Sequence, residues 1–364
     1  MEMEQRRLQH IDFMRGIAIF NVVFIHLGLS TLDVSVLSIC YRICIPVFIF
    51  VTGYTIGFSQ NKPYISNLIK KISYMIHMLF IYQLITYLCV DRTIPMYDIF
   101  SNILSGKVQE IKNIAMWYLP FYVSLYFIIW TEVKLIKLIY DLIFDRLGKF
   151  NKLIYYVLLT IVSVIIAYQG FNLNISEGTM FASNPFYIKQ AMITQVFAIL
   201  GYLVFCLEKT IDDIETKIDT KQIDKYILFK TIFKIVILVI SFVLFIFMSR
   251  KYGLIDILPM IWAGPISFYI SVTCALIFVY MTSKLICKVI GNFFLVNFVS
   301  FWGKRSIHIC ALHLLVMIFI ENYLKFVPHL LVLPKDKLLI ELFIRTIVLM
   351  IMSIFISFAI ENEK

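Results

Sequence analysis

Two side chains in the first apolar segment have the types and the spacing for chemistry on a charged substrate: Arg15 and His26. A guanidinium binds phosphate or carboxylate through paired hydrogen bonds. An imidazole acts as a general base or as a nucleophile near neutral pH. In an α-helix both side chains would project from one face to within about 20°, separated by about 16 Å along the axis. Because an ionisable side chain inside a membrane is costly, this aligned pair predicts a functional site.

The element that carries this pair is predicted to be a membrane-spanning helix. The chain has 364 residues, of which 61% are hydrophobic, and its mean hydropathy is +0.88. A spanning helix needs about 20 mainly apolar residues. Such segments occur at 11–30, 36–58, 69–90, 115–138, 152–169, 189–208, 226–249, 259–283, 304–325 and 338–360. We therefore predict an all-α integral membrane protein, a bundle of about ten transmembrane helices.

The linkers between these segments define the predicted domain organisation and topology. They are short, so residues 1–364 are expected to form a single transmembrane domain with no separate soluble domain. The segment 289–302 is apolar but short, which predicts an interfacial or re-entrant element. The segment 208–225 mixes both charge signs and is predicted to be a solvated cytoplasmic linker. No cleavable signal peptide is evident, so the first apolar segment is expected to be retained.

The net charge of +10 follows from topology in this interpretation. With ten spans and a cytoplasmic N-terminus, most of the 33 Lys and Arg fall on the cytoplasmic side, as the positive-inside rule requires. Both termini are then cytoplasmic, and the localisation is the plasma or inner membrane, with multiple passes. Membrane lipids are the expected surroundings, and no nucleic-acid partner is expected.

Several other kinds of site find no support in the sequence. The seven cysteines contain no CxxC pair, so they are predicted to be small buried side chains, and no metal site is expected. A Gly-rich phosphate loop, HExxH, GxSxG and an acidic DxD cluster are all missing. Most glycosyltransferase, ATPase and metalloprotease interpretations therefore lose support.

Further candidates lie in the first third of the chain. Asp12, three residues before Arg15, is a helix-start residue or an ion-pair partner. Tyr54 follows Gly53 near the inner end of the second segment, where glycine permits close helix approach or local unwinding.

Lys70 and Lys71 are either positive-inside anchors or contacts for donor phosphates. Trp117 fits an interfacial aromatic belt or a supporting role at the site.

The last third of the chain contributes the segment FWGKRSIHICALHLLV. Its Ser306 and His313 are seven positions apart, and so share a helix face to within about 20°. His308 is roughly 140° away and is predicted to be structural. Glu341 and Arg345, four positions apart, are suited to a buried ion pair or to lining a polar route.

Four ordered blocks resemble the acyltransferase-3 family of integral-membrane acyltransferases, which typically modify surface glycans. They are IDFMRGIAIFNVVFIH, PVFIFVTGY with the basic KKISYMIH, MWYLPFYVSLY, and GKRSIHICALH. The middle of the chain, 140–290, matches only in hydropathy. Lys70 and Lys71 stand where many members have Arg, and Cys310 replaces a Tyr of the late block, in which Gly303, Ser306, Ile309 and His313 fit.

The resemblance implies an enzyme, an O-acyltransferase that uses cytoplasmic acyl-CoA, with acetyl-CoA the family-weighted donor and succinyl the other option. It implies that His26 is essential and that Arg15 supports it, and Lys70 and Lys71 map to donor-binding positions. The acceptor would be a hydroxyl of an extracytoplasmic or lipid-linked glycan. His26 would act as general base on that hydroxyl, or would carry the acyl group covalently.

Two other functions stay open at this point. A transporter or flippase for a glycan would also use many spans and a buried histidine. A catalytically inactive scaffold in a glycan-assembly complex would need neither acyl-CoA nor His26. The oligomeric state is equally open, a homo-oligomer included.

Overall fold

The part of the chain that the structure describes is almost entirely helical. The structure, a computed structural model, describes residues 2–28, 32–58, 64–89, 95, 97, 100, 103, 114–144, 151–173, 184–215, 223–261, 264–323 and 338–362. Its α-helices are α1 Glu2–Gly28, α2 Val34–Phe58, α3 Tyr64–Cys89, α4 Tyr118–Phe144, α5 Asn151–Asn172, α6 Ile188–Glu215, α7 Ile223–Tyr252, α8 Pro265–Ile290, α9 Phe294–Lys304, α10 Ser306–Tyr323 and α11 Leu338–Asn362. Short 3₁₀ turns, Ile114–Trp117 and Pro185–Tyr187, precede α4 and α6.

Eight helices in the described residues are long and apolar enough to cross a membrane. They correspond to α1 to α8, and their apolar character confirms a multi-span membrane protein. Two further apolar helices, Ser306–Ile318 and Leu342–Phe358, fall short of that length in their described parts. The prediction of a helical membrane bundle is confirmed, whereas the count of ten spans and the cytoplasmic placement of both termini stay predictions.

The structure divides into two compact units. The first contains residues 1–48, 88–91 and 227–364. Within it α1 packs against α8, α9, α10 and α11. The closest crossing is between α1 and α9, because a Cβ at Gly303 would overlap the carbonyl oxygen of Asp12, and one at Gly16 would overlap that of Val299.

Polar contacts fix the N-terminal part of α1 in this first unit. The side-chain amide of Gln9 donates to the carbonyl oxygen of Gly291 at 2.7 Å and to Oδ1 of Asn297 at 3.0 Å. Farther along α1, the ring of Phe20 stacks on Trp302 and contacts Phe343. The segment predicted as interfacial or re-entrant is therefore a short helix, α9, held along α1.

The second unit contains residues 49–87 and 92–226. Here α4, α5 and α6 pack on one another. The glycines of α2 serve close helix approach rather than unwinding, since α2 is helical through Gly53 and a Cβ there would overlap the carbonyl oxygen of Ala198. Gly201 of α6 meets the carbonyl oxygen of Phe50 in the same way.

Two predicted boundaries are wrong. The eighth span was predicted to start at 259, but α8 starts at Pro265, after an isolated antiparallel bridge between Asp256 and Ile261. Gly264, at φ +138°, precedes that start and supplies a conformation that other residues rarely adopt. The linker predicted at 208–225 is also shorter, because α6 continues to Glu215 and α7 begins at Ile223.

The connection between α7 and α8 carries a half-buried carboxyl group. Asp256 accepts hydrogen bonds from the backbone N–H of Leu258, at 3.1 Å, and from the Tyr41 hydroxyl. Burial raises the pKa of Asp256 to about 6 even though both hydrogen bonds act to lower it. The neutral form of this side chain is therefore the one that the fold accommodates better.

Candidate active site

Helix α1 is continuous from Glu2 to Gly28, so it carries Arg15 and His26 on one helix as predicted. Their spacing corresponds to three turns, about 16 Å along the axis. One end of this line is a guanidinium with 30% of its side chain exposed. The other end is a half-buried imidazole. A substrate that contacts both would need an anionic group well separated from its reactive atom.

Arg15 pairs with Asp12 one helical turn earlier. Nη1 of Arg15 lies 3.4 Å from Oδ1 of Asp12, and the Asp12 side chain is 13% exposed. This confirms the ion-pair interpretation of Asp12. Because an i,i+3 ion pair within one helix contributes only about 0.2–0.5 kcal/mol, the pair orients the guanidinium more than it stabilises the helix. The remaining donors of Arg15 leave it able to bind an anion.

His26 lies against a second histidine from the far end of the sequence. The ring centroids of His26 and His313 are 5.1 Å apart, with the planes tilted by 44°. Both residues belong to the first unit, where α10 packs on α1. The first and last sequence blocks are thus brought together, and the predicted supporting residue His313 becomes the immediate neighbour of the predicted catalytic residue.

The hydrogen bonds of His313 define its tautomer. Nδ1 lies 3.0 Å from the carbonyl oxygen of Ile309, one turn earlier in α10. A carbonyl oxygen only accepts, so Nδ1 is the protonated nitrogen, and in the neutral ring Nε2 keeps its lone pair. That Nε2 is buried and has no hydrogen-bond partner among the described residues. The side chain is 1% exposed, so this arrangement is shielded from bulk water.

The remaining predicted residue of the late block is more distant. Ser306 is the first residue of α10 and is half-buried. It lies two turns before His313, about 10 Å along the axis, so it does not contact that ring directly. Gly303 of the same block has the packing role described above, against Asp12.

The other predicted residues lie in the second unit. Lys70 and Lys71 are exposed in the first turns of α3. Tyr54 is fully buried, and its hydroxyl donates to Oε2 of Glu208 at 2.6 Å. Trp117 is buried against the rings of Phe121 and Tyr187. Tyr54 and Trp117 therefore have clear packing roles inside this unit, while Lys70 and Lys71 are free of such burial.

Two buried charged residues, Arg42 and Glu132, were not predicted from the sequence as functional candidates. Arg42 is fully buried in α2, and its Nη1 donates to the carbonyl oxygen of Ser38 at 2.8 Å. Ser38 in turn donates to the carbonyl oxygens of Ser249 and Gly253, so the side chains of Arg42 and Ser38 cap the C-terminus of α7.

Glu132 in α4 is 4% exposed, and its carboxyl oxygens have no hydrogen-bond partner in the described part of the chain. Both residues lie inside predicted membrane spans, and a charged residue in such a position could have marked them as candidates from the sequence.

A multi-span helical unit holds a half-buried and a fully buried imidazole in contact, in line with a guanidinium that can bind an anion. These are features of a membrane-embedded group-transfer enzyme. The sequence profile of the acyltransferase-3 family, described as an acyltransferase domain, matches residues 8–362. The chain belongs to that family and is an acyltransferase, as its sequence blocks predicted. No curated protein and no solved structure matches it.

Proposed function

We propose that this protein is a membrane O-acyltransferase that moves an acyl group from cytoplasmic acyl-CoA to a hydroxyl of an extracytoplasmic or lipid-linked glycan. The observation that carries the proposal is the contact between His26 and His313, in line with Arg15 on α1. Family membership supports acyl transfer in general. The imidazoles supply the proton-transfer or nucleophilic group that such a reaction needs.

The spacing along α1 favours a CoA thioester as the donor. Arg15 and His26 are about 16 Å apart, so a bound donor must separate its anionic end from its reactive carbonyl by a long arm. CoA has this architecture, with phosphates at one end of a pantetheine arm and the thioester at the other. Arg15 would bind the phosphates and His26 would meet the thioester, while Lys70 and Lys71 stay proposed donor-binding residues. Acetyl-CoA is the proposed donor.

The acceptor side of the proposal rests on topology and on the family's typical substrates. A site reached from the cytoplasm by acyl-CoA and from outside by a sugar would let the enzyme modify glycans of the cell envelope at the plasma or inner membrane. A homo-oligomer is compatible with this scheme.

The alternative function, a glycan transporter, is supported by one observation: the buried carboxyl group of Glu132 in a membrane helix.

Three strains test the proposal: wild type, deletion, and His26→Ala expressed at the wild-type level. The readout is ester-linked acyl groups, measured by proton NMR of purified surface polysaccharide before and after mild alkali. We expect the ester signal to disappear in deletion and His26→Ala strains while the amount of polymer stays normal. Loss of the polymer itself on deletion, with normal esters in the His26→Ala strain, would favour the transporter.

A further inference from the structure

The two histidines of the site differ in their hydrogen bonding, and this difference assigns them different tasks. His313 has its Nδ1–H anchored to the carbonyl oxygen of Ile309 and keeps an unpaired Nε2. A histidine whose one nitrogen is held by an acceptor presents the other nitrogen as a base, with ring orientation and tautomer both fixed. His313 therefore has the arrangement of an oriented general base, a role that the sequence alone would have assigned to His26.

We propose that His26 carries the acyl group as a transient acyl-imidazole and that His313 is the base that deprotonates the acceptor hydroxyl. This inference rests on the proposed function. In the first step a ring nitrogen of His26 bonds to the acyl carbonyl carbon, and the bond from that carbon to the CoA sulfur breaks. The proton on the other nitrogen of His26 goes to the released thiolate. The products of this step are acyl-His26 and free CoA.

In the second step the acceptor hydroxyl takes the acyl group. Its oxygen bonds to the acyl carbon, the bond from that carbon to His26 breaks, and the hydroxyl proton moves to Nε2 of His313. His313 then returns this proton to the His26 ring, which leaves both imidazoles neutral. The two rings that exchange this proton are in contact, with their centroids 5.1 Å apart.

Burial supports this division of tasks. His313 is 1% exposed, so water does not compete for its Nε2 in the resting protein. A purely structural histidine at this depth would be expected to have both ring nitrogens hydrogen-bonded, because an unsatisfied buried polar atom costs about 1–3 kcal/mol. The unsatisfied Nε2, which belongs to a ring in contact with His26, is explained if it is kept for a proton.

The test uses the purified full-length protein with radiolabelled acetyl-CoA, first alone and then with an acceptor. Two acceptors are compared: hydroxylamine, which attacks an acyl-imidazole as a neutral amine without prior loss of a proton, and polysaccharide from the deletion strain, whose hydroxyls need a base. The variants are His313→Gln, His313→Ala, His26→Ala and the double variant of His313→Gln with His26→Ala. His308→Gln is the matched control, since His308 is a second buried histidine on the same helix.

We expect His313→Gln to accumulate label, approaching about one acetyl group per chain, which hydroxylamine releases within about threefold of the wild-type rate. Its transfer of label to polysaccharide should fall about 100-fold or more. His26→Ala, alone or combined, should take up no label, and His308→Gln should behave as wild type. Added imidazole should restore ester formation to His313→Ala, because the space left by the side chain admits a free base.

Different outcomes separate the two proposals. Two results would show that His313 is not the base and would overturn the inference. In the first, His313→Gln transfers label to polysaccharide as fast as wild type. In the second, release of label from His313→Gln by hydroxylamine and by polysaccharide falls equally, and added imidazole does not restore ester formation to His313→Ala. If His313→Gln takes up no label while wild type makes esters, transfer is direct and the covalent step is overturned. If wild type itself neither consumes acetyl-CoA nor esterifies polysaccharide, the proposed function fails, and the inference fails with it.

Discussion

Gly303 leaves no room for a side chain between α9 and the carbonyl oxygen of Asp12 on α1. This contact joins the first and the last sequence blocks near their N-terminal ends. Arg15 and His26 follow Asp12 on α1, and His313 follows Gly303 through α10. The distance between the two histidines therefore depends on how closely these helices approach.

Replacing Gly303 with Ala should separate the two helices and disturb the histidine pair. A Cβ there would meet backbone rather than a flexible side chain, and overpacking of this kind costs about 1–3 kcal/mol. We expect a lower thermal unfolding temperature in detergent and at least a tenfold loss of ester formation per folded molecule. Leu295→Ala, on the exposed side of the same helix, is the control and should change neither. An unchanged unfolding temperature for Gly303→Ala would contradict the close approach described here.

Arg15 should matter for donor binding and little for stability. Its side chain is 30% exposed and pairs with Asp12 within one helix, so Arg15→Gln should cost less than about 1 kcal/mol of unfolding free energy. The KM for acetyl-CoA should rise about tenfold or more with little change in kcat, because a charge-assisted contact to phosphate is lost. Arg15→Lys keeps the charge without the paired donors, so its KM for acetyl-CoA should lie between those of wild type and Arg15→Gln. A KM for Arg15→Gln equal to that of wild type would remove Arg15 from the donor site.

Tyr54 should be important for stability and not for the reaction. Its hydroxyl donates to the Glu208 carboxyl group at 2.6 Å inside the second unit, and a hydrogen bond to a charged group contributes about 1.5–3 kcal/mol. Tyr54→Phe should lower the unfolding temperature, while specific activity at 15 °C stays within about twofold. Glu208→Gln retains an acceptor for the Tyr54 hydroxyl, so it should lower the unfolding temperature less than Tyr54→Phe does. A large loss of activity in fully folded Tyr54→Phe would restore the supporting role predicted from the sequence.

The pH dependence of stability should contain a contribution from Asp256. Burial raises its folded-state pKa from 3.8 to about 6, so the folded protein holds this proton more tightly than the unfolded chain. The contribution is complete below pH 3.8 and is lost as the pH rises to about 6, so stability falls across this window. Asp256→Asn, which is neutral at every pH, should unfold at a higher temperature than wild type at pH 7.5. The difference should shrink at pH 5, and equal differences at both values would contradict the shifted pKa.

The sequence predicted the helical class, the family and a first helix that carries both Arg15 and His26, because hydropathy and helical spacing are local properties. The bounds predicted for that helix, 11–30, differ from those of α1, Glu2–Gly28. The charged segment 115–138 and the short segment 152–169 both lie on helices long enough to span, α4 and α5. The start of α8 was misplaced because hydropathy does not register the turn before Gly264 and Pro265. The partners of Tyr54 and His313 come from other helices, so no spacing rule could reveal Glu208 or the ring contact with His26. Glu341 and Arg345 were predicted to form an ion pair or to line a polar route, but the side chain of Glu341 lies outside the described residues.

The central claim is that His26 mediates acyl transfer from acyl-CoA, and purified protein tests it most directly. Wild type and His26→Ala, matched for unfolding temperature and reconstituted in vesicles, are given radiolabelled acetyl-CoA and polysaccharide from the deletion strain. The account predicts alkali-labile label on the polysaccharide with wild type and at least a 100-fold lower rate with His26→Ala. Label transfer by folded His26→Ala at the wild-type rate would contradict it.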